Sequence, residues 1–243
     1  MQSISFYPAG GNAMSINFGD HLDEPLNKSV FVLYHAILKK PIPFCIDLIP
    51  AYSTLTLIYD AVAIRKQHSS AFEWIKGQVE NVMKTCDWKA NIPSRKLQIP
   101  VCYELEFAPD SKSLATQKKI SIEKLVEIHS QRSYRIFMIG FLPGFAYMGT
   151  VDKRIATPRL AKPRMNVAQG SVGIAGEQTG IYPMDSPGGW NIIGKTPVKI
   201  FDPHPSKNKS QVLLRPGDEV KFLSISKKQY NEFDPFTYNL IGS

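Results

Sequence analysis

No apolar run in this 243-residue chain approaches the ~18 residues a bilayer crossing needs. Its opening stretch, MQSISFYPAGGNAMS, lacks the basic start and apolar core of a secretory signal. A soluble, cytoplasmic protein is expected. Cysteine is scarce: Cys45, Cys86 and Cys102 are odd in number and form no C-x-x-C. That argues against a disulfide framework or a zinc site and predicts buried, reduced thiols. The five histidines show no metal-ligand spacing, so no metal held wholly by this chain is expected. No serine stands in a G-x-S-x-G elbow; Ser186 is followed by Pro187.

Basic residues are in excess, giving a net charge of +8. They are scattered, however, and the densest stretch, RIATPRLAKPR (154–164), alternates them with prolines. Without finger spacing or an aromatic RNA-binding signature, nucleic acid is disfavoured. An anionic small molecule or an acidic partner surface accounts for the charge as well.

The apolar pattern predicts an α+β chain. ISFYP and AMSINFG flank Gly10–Gly11 and read as a hairpin. After Asp23, Leu26, Val30, Leu33, Tyr34, Ile37 and Leu38 fall on one helical face, and Pro41 and Pro43 end it. FCIDLIP and STLTLIYD read as strands, and Phe72, Ile75, Val79, Val82 and Met83 mark a second helix. Residues 1–90 are thus expected to form a small sandwich, helices on one face of an antiparallel sheet.

Residues 88–100 are polar and proline-punctuated, and a second domain is expected over 91–243. There LQIPVCYELEF reads as a strand, SIEKLVEIHS as a short helix capped by Ser121, and YRIFMIG as a buried strand. From Phe141 to Thr196 Gly and Pro recur without helical periodicity, as in a β-barrel. VKIFDP and QVLLRPGDEVKFLSI are expected as closing strands turning at Pro216–Gly217–Asp218, with a peripheral tail from Lys227 to NLIGS.

GWNIIGKT (189–196) satisfies the G-x-x-x-x-G-K-[ST] pattern of a phosphate-binding loop. Such a loop needs a feeding strand and a helix that starts at the Lys-Thr pair. Here Pro197 follows Thr196 at once and disfavours helix, VKIFD reads as a strand, and Trp190, Ile192 and Ile193 are bulky. The match is expected to be coincidental.

Four ordered stretches carry a stronger signal: GFLPGFAYMG (140–149), ATPRLAKPR (156–164), QGSVGIAGEQTGIYPMDSPGGWNIIGKTP (169–197) and LLRPGDEVKF (213–222). With NFGDHLDEPLNKSV and IPAYSTLTLIYD nearer the start, the chain closely resembles the KipI-like family, also described as allophanate hydrolase subunit one or the B-type subunit of 5-oxoprolinase. The resemblance implies a small α/β N-terminal domain followed by a cyclophilin-like β-barrel. It implies one subunit of an ATP-dependent 5-oxoprolinase, inactive alone, which opens the lactam of 5-oxoproline to glutamate. Implied partners are two further subunits, one KipA-like and one LamB/YcsF-like, with ATP and magnesium bound together with a partner. The family's name-giving member instead inhibits a histidine kinase, which supplies the alternative reading. Three departures stand out: YELEFAPD (103–110) lacks the family's glycines, VAQG replaces Val-Pro-Ala-Gly, and Lys195 replaces the usual arginine before Thr-Pro.

For such chemistry Arg159 and Arg164, stiffened by Pro158 and Pro163, suit a carboxylate or phosphate; the alternative is two ordinary surface arginines. Gln178, Thr179 and Tyr182 could orient a small polar substrate or satisfy their own turn. Lys195 could add charge near a phosphate or end a strand in solvent. His129 could act as a general base or interact with its helix C-terminus. Phe141, Phe145, Tyr147 and Trp190 are candidates for an apolar wall, with core or interface packing as the other use.

Overall fold

A computed structural model describes residues 4–205, 207 and 210–235. They fall into two compact units divided between Pro93 and Ser94.

In the first unit, strands β1 (Ser5–Pro8) and β2 (Ala13–Asn17) form the expected hairpin, followed by helix α1 (Glu24–Lys39), β3 (Cys45–Pro50), β4 (Thr54–Tyr59), α2 (Ala61–Arg65) and α3 (Ala71–Thr85). The sheet is antiparallel, in the order β1-β2-β4-β3. Alternation puts Met14 and Ile16 of β2 and Leu55 and Leu57 of β4 on the face where Leu33 of α1 and Ile75 of α3 bury. The helix signals act locally: Pro25 and Glu24 open α1, and the Ser70 hydroxyl accepts from Glu73 N at 3.3 Å to start α3. Short α2, capped by Asp60, has too little periodicity to show in the sequence.

The second unit comprises β5 (Lys96–Cys102), α4 (Ser111–Lys118), α5 (Ile122–Ser130), β6 (Ser133–Ile139), β7 (Ala146–Gly149), β8 (Arg164–Val167), β9 (Ser171–Ala175), β10 (Gln178–Ile181), β11 (Ser186–Gly188), β12 (Asn191–Lys195), β13 (Glu219–Ile225) and α6 (Lys227–Asn231). Seven of these strands close a barrel in the order β10-β7-β6-β13-β5-β12-β9. β13 runs parallel to β5, and the other adjacent pairs are antiparallel. The interior is filled by side chains such as Ile99, Val101, Ile136, Ile174, Ile193 and Phe222. Strands β8 and β11 form a separate two-stranded ribbon. The Arg95 guanidinium ties the start of β5 to the turn before β13. Its Nε donates to Asp218 Oδ1 at 2.9 Å, and Nη2 reaches Asp218 Oδ2 and the Leu213 carbonyl.

Several expectations need correction. β5 stops at Cys102; Tyr103–Phe107 folds as turns, so YELEF is no strand. Helix α4 hides from periodicity because it buries only Ser111, Leu114 and Ala115. VKIFDP holds a single bridge, Phe201 with Val212, not a strand. The Pro216–Gly217–Asp218 turn is present, with Gly217 at φ +89°. Only Cys102 of the three free thiols is fully buried. Of the tail, residues 227–231 form α6 on a capping box, whereas NLIGS lies outside the described residues. No helix among the described residues is long and apolar enough to cross a membrane.

Candidate active site

The β8–β11 ribbon organises the site. Arg164 opens β8 in register with Gly188, and Val167 pairs with Ser186, with a bulge between. Arg164 Nη2 donates to Asp110 Oδ1 at 2.5 Å. The other carboxylate oxygen accepts from Ile192 N at 2.6 Å, while Asp110 N donates to the Ile192 carbonyl at 3.1 Å. Three distant stretches therefore meet at one carboxylate. Arg164 Nη1 and Ser186 Oγ are buried and have no hydrogen-bond partner among the described residues. Buried donors of this kind are uncommon in folded proteins.

Beneath the ribbon stand the aromatic rings. Phe145 packs edge-on to Trp190 at 5.3 Å, to Tyr182 at 5.3 Å and to Tyr147 at 4.9 Å between ring centroids. Phe141, exposed and at φ +70°, adds an edge contact to Phe145. The Tyr182 ring reaches Gly188 so closely that a Cβ there would lie 2.7 Å from two ring carbons and nearer still to the hydroxyl. Glycine is required by that approach. Burial raises the Tyr182 phenol above its usual range, against the opposing pull of the Trp190 backbone donor, Arg159 and Arg164. Tyr147 is raised by burial too, with Arg159 opposing.

Arg159 is exposed, on a loop strapped to the barrel at several points. Leu160 N donates to the Gly189 carbonyl at 2.7 Å, Asn191 Nδ2 donates to the Pro158 carbonyl at 2.8 Å, and Thr157 bridges Gly176. Of the residues expected from sequence, Arg159, Arg164 and Tyr182 thus converge, joined by Tyr147 and Trp190.

His129 and Thr179 do not join them. His129 is fully buried in the barrel unit, stacked on Phe222 at 4.7 Å. Its Nδ1 lies 2.8 Å from Tyr103 Oη and its Nε2 lies 2.9 Å from Thr179 Oγ1. Thr179 gives its own proton to the Gly173 carbonyl at 3.0 Å, so it accepts from Nε2–H and Tyr103 donates to Nδ1. Every polar atom of the ring is satisfied with the imidazole neutral, and burial pushes its pKa down to about 3. The general-base expectation for His129 and the substrate contact for Thr179 are corrected to a closed core network. Gln178 is half-buried at the start of β10, in register with Gly149 and Ala175. Lys195 lines a different, open cleft of about 540 Å³ with Gln169, Gly170, Asp185, Lys199 and Tyr230.

Residues 4–213 match the family described as carboxyltransferase domain, subdomain C and D. The chain is 41% identical over 228 residues to the B-type subunit of 5-oxoprolinase from Bacillus subtilis (strain 168), covering 92% of this chain and 94% of that protein. It is 33% identical to the corresponding 5-oxoprolinase subunit of Escherichia coli O157:H7, over 92% and 97% of the two chains. The chain belongs to the family of 5-oxoprolinase B-type subunits. The crystal structure of TTHA0988 superposes with a TM-score of 0.73 at 34% identity over 88% of this chain, which spans 40% of that longer polypeptide.

Within this 5-oxoprolinase-family chain, GWNIIGKT does not form a phosphate-binding loop. GWNIIGKT runs into strand β12, and no helix follows Thr196, whose hydroxyl accepts from Val198 N at 3.1 Å. Among the described residues no group of three or more His, Cys, Asp or Glu is placed to hold a metal ion. Nothing local in the sequence singles out Asp110, whose partners Arg164 and Ile192 lie 54 and 82 positions away. Asp110 does occupy the N-cap of α4, yet its side chain makes no capping bond and turns to Arg164 and Ile192 instead. An N-cap Asp ordinarily accepts from the backbone of its own helix, so the missing capping bond marks a side chain committed elsewhere.

Proposed function

We propose that this chain is the B-type subunit of a cytoplasmic, ATP-dependent 5-oxoprolinase that opens 5-oxoproline to glutamate together with two partners, one KipA-like and one LamB/YcsF-like. The 41% identity to a protein named as that 5-oxoprolinase subunit, over nearly the whole of both chains, carries this reading. The site chemistry supports it. 5-Oxoproline is a small flat ring with one carboxylate, and Arg159 and Arg164 stand beside a wall of Tyr147, Tyr182 and Trp190. A guanidinium binds a carboxylate through paired N–H donors, and the rings exclude water around it. This chain's part is to bind and orient the substrate; ATP and magnesium are bound together with a partner subunit, and the chain alone is inactive.

The test is reconstitution of the three purified subunits with ATP, magnesium and 5-oxoproline. Phosphate and glutamate should appear together, and only when all three chains are present. A well-folded, assembled complex that releases neither would refute the assignment. Inhibition of a histidine kinase by the isolated chain, in that case, would favour the kinase-inhibitor reading.

A further inference from the structure

Among the described residues, the Arg164 guanidinium is held at one edge only. Nη2 is committed to Asp110 at 2.5 Å, whereas Nη1 is buried with no partner among the described residues. Asp110 is itself immobilised. Its second oxygen takes the Ile192 N–H at 2.6 Å, and its own N–H reaches back to the Ile192 carbonyl. Rotation of the carboxylate would break both of its side-chain bonds, so Arg164 is referenced to the backbone of β12, two residues after Trp190. Paired residues of antiparallel strands project to the same side, so Arg164 shares the side of Gly188. That side faces the Tyr182 phenol, since a Cβ at Gly188 would strike it. The uncommitted donor thus belongs to the face that carries the aromatic wall.

We propose that Asp110 is the positioning residue of this site: its carboxylate aims Arg164 so that Nη1 receives an oxygen of the substrate's carboxylate. The inference rests on the 5-oxoprolinase reading and adds a substrate-orienting residue to it. Asp110 touches no substrate; it acts through Arg164. Arginine's planar fork suits this division, one edge for the protein and one for the ligand.

The experiment compares wild-type, Asp110→Asn, Arg164→Ala and double-variant chains in the reconstituted complex. Asparagine keeps the volume but can no longer accept at both positions. Asp110→Asn should raise KM for 5-oxoproline roughly tenfold or more while kcat stays within about threefold and KM for ATP is unchanged. The double variant should be no worse than Arg164→Ala alone. Additive losses, which independent roles predict, or equal changes in both KM values, which a merely structural clamp predicts, would overturn the proposal. A second readout does not depend on turnover or on the variant folding. In the wild-type chain, the Arg164 side-chain N–H groups should give distinct, slowly exchanging NMR signals at neutral pH. Signals averaged by free rotation would overturn the clamp outright. A wild-type complex that consumes no 5-oxoproline would refute the proposed function, and the NMR result would still decide whether Asp110 holds Arg164.

Discussion

His129 offers a prediction that separates a core histidine from a catalytic one. In the unfolded chain its imidazole takes a proton below about pH 6.5. In the folded chain it refuses one until about pH 3, because burial disfavours the cation. Stability from this group is therefore complete above about pH 6.5 and is lost as pH falls toward 3. Each pH unit in that window removes about 1.4 kcal/mol, so acidification to about pH 5 removes about 2 kcal/mol through this residue alone. The result at about pH 5 is insensitive to where below 4 the folded value lies. Urea denaturation of wild type and His129→Gln at pH 8 and pH 5 measures it, and the difference between the two slopes isolates His129 from the carboxylates. Imidazole NMR on the wild-type chain checks the same point without a variant: shifts should stay flat from pH 8 to 4.5 and report the Nε2–H tautomer. A midpoint near 6.5, or identical pH slopes for wild type and variant, would refute the closed network and return His129 to the list of acid–base groups.

Other outcomes follow from single contacts. Gly188→Ala drives a methyl into the Tyr182 ring and should destabilise by about 1–3 kcal/mol in chemical denaturation, with altered tyrosine fluorescence. Arg95→Met strands the buried Asp218 carboxylate and should destabilise by about 3 kcal/mol, which a Tm measurement would register as a loss of several degrees. Arg159→Ala, at an exposed position, should leave folding and assembly of the complex intact by light scattering while lowering turnover roughly tenfold or more. Wild-type turnover in that variant would remove Arg159 from the site.

The sequence discloses the elements whose burial is periodic. Leu33 and Ile37 of α1, Ile75 and Val79 of α3, and the alternation in β2 and β4 point to the N-terminal sandwich by spacing alone. It conceals α4, which buries two small side chains and one leucine, and it overextends β5 into a turn. The site divides along the same line. Arg159 and Arg164 stand out in the sequence as guanidinium groups beside prolines, and Tyr182 as a phenol in a glycine-rich turn, and the structure brings the three near one another. The role of His129 was not legible, because its partners lie 26 and 50 positions away at Tyr103 and Thr179. Asp110 was hidden likewise, 54 positions from the arginine it holds. Burial and pairing across such separations are tertiary facts, and no local pattern encodes them.

The same distinction decides the GKT string. A phosphate loop works because its backbone amides are unpaired and aimed at the ligand. In GWNIIGKT several of the amides are already committed. Ile192 N serves Asp110, Thr196 N donates to the Gly170 carbonyl at 2.9 Å, and Asn191, Ile192, Gly194 and Lys195 pair with β9 around a bulge. The side chains are committed as well. Trp190 builds the aromatic wall, Asn191 Nδ2 bonds the Pro158 and Ile174 carbonyls, and Ile193 fills the barrel. Binding a triphosphate there would require dismantling the strand that anchors Asp110 and, through it, Arg164. The segment holds an arginine in place, and that arrangement is incompatible with cradling a nucleotide.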